Sequence, residues 1–109
     1  MNSRQEEHES TIRAAREIRD ILMKATIGWA NERAKREIQN RILSVRRTAT
    51  DPYIREKAGQ IEGWAEILFS TRKWQKYGSA DDVRDRILRQ CASMASRAEL
   101  LISKPNSEV

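Results

Sequence analysis

Apolar residues along the chain recur at intervals of three and four, the spacing of one face of an α-helix. Ala14, Ala15, Ile18, Leu22, Ala25 and Trp29 gather around one direction of a helical wheel. Ile27, Ala30, Ala34, Ile38, Ile42, Leu43 and Val45 gather on nearly the opposite side. The stripe changes side at Thr26-Ile27-Gly28, and two arrangements satisfy that change. In the first, the chain turns back near Gly28 and both stripes enter one bundle. In the second, one helix runs on for about 65 Å, at about 1.5 Å per residue, and its N-terminal half packs on another subunit. A mid-helix glycine costs only about 1 kcal/mol, so Gly28 alone does not choose between them. Near-equal helix lengths favour the break.

A third stripe, Ile54, Ala58, Ile61, Ala65 and Leu68, alternates by four and three like a coiled-coil seam, and its alanines admit a close neighbour. Gly59 and Gly63 weaken the same helix. Their presence predicts compensation by a closely packed backbone or a bulky ring such as Trp29, which makes both glycines part of the packing seam. A fourth stripe contains Ile87, Cys91, Met94, Ala98 and Leu101, widened by Leu88, Ala92 and Ala95.

End signals divide the chain into helices. Ser3 and Glu6 have capping-box spacing. Asp51-Pro52 reads as an N-cap followed by a proline at the first helical position. Ser79 precedes Ala80-Asp81-Asp82, an N-cap with acids in the first turn. Gly78 is placed to end the preceding helix and Pro105 to end the last. The predicted helices are 4–25, 28–48, 52–77 and 80–103. The fold class is all-α: an antiparallel helical hairpin or bundle of three to four helices. It forms a single domain over residues 1–104, with a disordered tail at 105–109.

Composition narrows the class. Four Gly and two Pro are too few for a β-sandwich. No apolar run approaches the roughly 18 residues of a membrane span, and no signal peptide opens the chain. Val, Ile, Leu and Phe number only 21 of 109 residues, a thin core that oligomerisation would help. The formal net charge is +5. Residues 27–58 hold eight basic groups against four acidic, so most of the excess lies there. Arg33, Arg36, Asn40 and Arg47 line up opposite the apolar stripe, in register with Trp29. A basic face beside an aromatic could hold phosphates or stack a base; a solvated helix face is the plainer reading.

Catalytic groupings are not legible. Cys91 is the single cysteine and falls on an apolar stripe, as a small buried residue would. His8, the single histidine, sits among Glu6, Glu7 and Glu9 and reads as a solvated surface residue. Neither a phosphate-binding glycine loop nor a dinucleotide fingerprint occurs. Glu62 and Glu66 lack the Glu-x-x-His partners of a di-iron bundle. Asp81, Asp82 and Asp85 read as complements to a helix dipole. A helix-turn-helix over residues 79–100 would bring those three acids to the phosphates. No catalytic residue, cofactor or metal site is expected, and the chain is not expected to be an enzyme.

Residues 26–69 carry a likeness. Ile27-Gly28-Trp29, a charged helix, Thr50-Asp51-Pro52, then Arg55-Glu56-Lys57-Ala58-Gly59-Gln60-Ile61-Glu62-Gly63-Trp64 and Ile67-Leu68 resemble small helical-hairpin proteins of tailed-bacteriophage head-assembly and packaging gene clusters. The resemblance implies a virion or head-assembly role, in the host cytoplasm or the virion. The expected function is a non-enzymatic assembly or adaptor protein that contacts itself or a larger protein assembly through helix faces, away from membranes. The alternative is a nucleic-acid-binding accessory protein that uses Trp29, Arg33, Arg36 and Arg47.

Overall fold

The computed structural model describes residues 3–25 and 31–103. Thr26 to Ala30, and with them Gly28 and Trp29, lie outside the described residues, as does the tail from Lys104. Four α-helices follow one another: α1 (Ser3–Lys24), α2 (Glu32–Thr48), α3 (Pro52–Leu68) and α4 (Ala80–Ser103). A short 3₁₀ helix (Lys73–Tyr77) stands between the last two. The protein is all-α, with no strand among the described residues.

Each helix packs on its neighbours around a ring, α1 on α2 and α4, and α3 on α2 and α4. Cross-helix contacts give the directions. Arg41 reaches back to Glu17 at 3.2 Å, and Arg97 near the end of α4 grips Asp51 at the start of α3 at 3.0 Å. The bundle therefore runs up-down-up-down, 49 Å long. That is shorter than the straight 4–48 helix would be. The chain reverses between α1 and α2, and of the two arrangements the phase change allows, the turn is the one adopted.

The reversal brings the two opposed stripes into one interior. Ile18 and Leu22 from α1 meet Ile38, Ile42 and Val45 from α2, together with Ile54, Ile61 and Leu68 of α3 and Val83, Ile87 and Met94 of α4, all fully buried. The phase change therefore does not demand a second subunit, and that argument for oligomerisation falls. Ala14, Ala15, Ala34, Ala58, Ala65 and Ala98 are buried too, so small side chains fill the tight places. Leu43 departs from expectation. It lies on the edge of its stripe and is 46% exposed.

The predicted helix over 52–77 stops at Leu68. Continued by four and three, its seam would next place Arg72 and Gln75 in the core. Instead Phe69 caps the helix at φ −93°, ψ 12° and turns its ring inward. The Ser70 hydroxyl donates to the Ile67 carbonyl at 2.6 Å and accepts from the Lys73 amide at 3.0 Å, which starts the 3₁₀ helix. Gly78, at φ +109°, ends the 3₁₀ helix, not α3. Asp51 and Ser79 cap as expected. Asp51 accepts from the Ile54 amide at 3.1 Å. Ser79 and Asp82 exchange two bonds, at 3.0 and 3.1 Å, in a capping box. At the other end of the chain α1 already includes Ser3, which its spacing to Glu6 assigns to the cap.

Candidate functional site

The seam of α3 is interior. Ile54, Ala58, Ile61, Ala65 and Leu68 show no exposed surface. Gly59 and Gly63 do not belong to it. A Cβ on either would meet nothing within 4 Å, so no neighbouring backbone or ring requires them. They sit on the outward side of α3, and the compensation they suggested is absent among the described residues.

His8 is a second correction. It is 8% exposed, not solvated. His8 stands one heptad before Ala15 and two before Leu22, so the stripe phase carries it inward whatever its acidic neighbours. Its Nδ1 is buried without a hydrogen-bond partner among the described residues, 3.8 Å from a Glu7 carboxylate oxygen. That Glu7 oxygen also accepts from the Thr50 amide and hydroxyl, at 3.1 and 3.0 Å. The Arg97 guanidinium binds both oxygens of Asp51, at 3.0 and 3.2 Å, and holds the Asp51 carboxyl below its ordinary range. Glu7, His8, Thr50, Asp51 and Arg97 thus form a polar corner. It ties the start of α1 to the α2–α3 turn and the end of α4.

Cys91 is buried, and loss of solvent pushes its thiol up to about 12. It is protonated at neutral pH and placed as a core residue. Asp81 pairs with Arg84 at 3.3 Å, and Asp82 serves the capping box. Glu62 pairs with Arg46 across helices at 3.0 Å. No group of three His, Cys, Asp or Glu side chains converges on a metal-sized site among the described residues.

The basic face of α2 points outward. Arg33, Arg36, Asn40 and Arg47 are exposed. The Arg33 side chain is 90% exposed and lies 3.5 Å from Glu37. Arg36 and Arg47 make no ion pair among the described residues. Arg41 and Arg46, which flank this face, are taken by Glu17 and Glu62. Leu43 falls between Asn40 and Arg47, which sets an exposed apolar side chain inside the basic stripe. Trp29, expected to share that surface, lies outside the described residues.

A further cluster escaped the sequence reading. The Trp64 and Tyr77 rings meet edge to face, with centroids 4.8 Å apart. The Arg86 guanidinium stands 4.9 Å from the Trp64 centroid. These three residues come from α3, the 3₁₀ helix and α4. The available signal was local: no acid occurs from Ile67 to Ala80, while Arg72, Lys73 and Lys76 interleave with Trp74 and Tyr77. No protein family, curated protein or solved structure matches the chain.

Proposed function

We propose that the protein is a non-catalytic helical adaptor or assembly component that binds a protein partner through the outer face of α2. The observation that carries this reading is the stripe Arg36, Asn40, Leu43 and Arg47, one outward line on a helix whose inner line is already filled. An exposed leucine flanked by unpaired arginines suits an interface, where an apolar anchor is ringed by groups that pair with a partner's acids. The core is complete within one chain, so the partner is recognised by a preformed bundle. The likeness of residues 26–69 to phage head-assembly proteins supports a virion or assembly setting, in the host cytoplasm or the particle. No helix among the described residues is long and apolar enough to cross a membrane.

The test compares the wild type with the Arg33→Glu, Arg36→Glu, Arg47→Glu triple variant. The wild type is expected to sediment above 12.7 kDa when mixed with extract of cells that produce it, and to be cross-linked to a protein there. The variant is expected to lose that association and keep its helical circular dichroism. Equal association by both proteins overturns the reading.

A further inference from the structure

We infer that the segment between α3 and α4, residues 69–79, is a binding surface for single-stranded nucleic acid, an activity beyond the adaptor reading and on a different face. Its first support is charge. Arg72, Lys73 and Lys76 are exposed and make no ion pair among the described residues. The two acids that follow the segment have partners of their own. Asp81 pairs with Arg84, and the Asp82 carboxylate accepts from the Ser79 amide. Lys35, held at 3.3 Å by Glu32, lines a groove together with Glu32, Glu66, Ser70, Arg72 and Lys73.

The second support is the aromatic content. Tyr77 is 40% exposed, and its ring is braced edge to face on Trp64, itself covered by Arg86. Trp74 packs its ring partly against the core and anchors the segment. An exposed ring held from behind is a platform on which a base can stack, and the cations Lys76, Lys73 and Arg72, close by in the same segment, can follow the phosphates. Single-stranded nucleic acid offers phosphates to the cations and bases to the ring, and the pairing of the two features favours it.

The third support is rigidity. The segment is pinned at both ends, by the Ser70 hydroxyl between Ile67 and Lys73 and by the Ser79–Asp82 capping box. Little backbone order then has to be acquired on binding.

Binding of a fluorescein-labelled oligothymidylate of about 16 nucleotides is followed by anisotropy as salt rises from about 50 to about 200 mM. Three phosphate contacts on a single strand give a log–log slope of about −2. The Arg72→Glu, Lys73→Glu, Lys76→Glu variant should bind about 10-fold more weakly or worse, with a flattened slope. Tyr77→Leu should weaken binding about 5-fold or more and leave the slope unchanged, because it removes stacking and no charge. Arg13→Glu, Arg16→Glu, Arg19→Glu applies the same charge change to exposed positions on α1 and should leave the slope in place. Circular dichroism and melting confirm that each variant is folded. Absence of binding at the lowest salt overturns the inference. So does equal loss in the α1 variant, or displacement of the oligonucleotide by polyglutamate with Tyr77→Leu indistinguishable from wild type. None of these outcomes touches the α2 face, whose failure is read in protein association.

Discussion

Gly63 and Ala65 lie two residues apart on α3 and answer added bulk in opposite ways. Ala65 is fully buried among close-packed helices. Ala65→Leu should destabilise the bundle by about 1–3 kcal/mol, seen as a lower urea midpoint. At Gly63 a Cβ meets open space, so Gly63→Ala should stabilise the bundle by about 0.5–1 kcal/mol through helix propensity alone, seen as a higher urea midpoint. Asp51 divides in the same manner. It caps α3 and also holds Arg97. Asp51→Asn keeps the cap and removes the charge, whereas Asp51→Ala removes both, with about 1 kcal/mol lost for the cap. The folded carboxyl is lowered, so its stabilisation is complete above the ordinary carboxylate range and fades as pH falls through the lowered value. An acid titration of stability should therefore be flatter in Asp51→Asn than in the wild type. Equal acid sensitivity would mean that Arg97 contributes nothing there. His8 shows what a residue's neighbours in sequence conceal. Three glutamates beside it suggested solvent, but its heptad position put it inside.

The helices were legible in the sequence because their stripes and caps agreed. The end of α2 at Thr48 and the start of α3 at the Asp51-Pro52 pair were legible; the start of α2 was not, because Asn31, inside the predicted 28–48 helix, is the N-cap and accepts from the Ala34 amide. The end of α3 was not legible from Gly78, since the decisive fact was that the seam runs out of apolar residues after Leu68. The core position of Val83, one turn before Ile87, was missed for a related reason: acids at Asp81, Asp82 and Asp85 drew the eye to the cap. The outer surfaces were harder. Exposure of Leu43 depends on how wide a face α1 and α3 cover, and the meeting of Trp64, Tyr77 and Arg86 depends on a turn that periodicity does not encode. The capping box that closes this turn is testable by itself. Ser79→Ala removes the acceptor for the Asp82 amide and should lower stability by about 1 kcal/mol, with faster hydrogen exchange confined to the first turn of α4.

At the scale of the whole molecule, a thin core need not imply an obligate oligomer. The bundle uses alanines to bring helices close, and Phe69 with Ile18, Ile38, Ile42, Ile54, Ile61 and Ile87 is fully covered by the chain itself. Thermal unfolding should therefore be a single transition whose midpoint does not move when protein concentration is raised about a hundredfold, a range over which obligate association would add up to about 2.7 kcal/mol. A midpoint that climbs with concentration would mean that folding and association are one step. The two proposed faces are then additions to a stable body, α2 on one side and the 69–79 turn at one end.

The position of α4 has a consequence for how the protein is made. Of the four helices this one is synthesised after the others, yet it packs along both α1 and α3. At about 5–20 residues per second, its 24 residues take on the order of one to five seconds to add. For that interval the nascent chain carries Ile18, Leu22, Ile61 and Leu68 with one side uncovered. The early helices form a trough that waits for its lid, and a chaperone or a neighbouring nascent copy competes for the trough until translation supplies it.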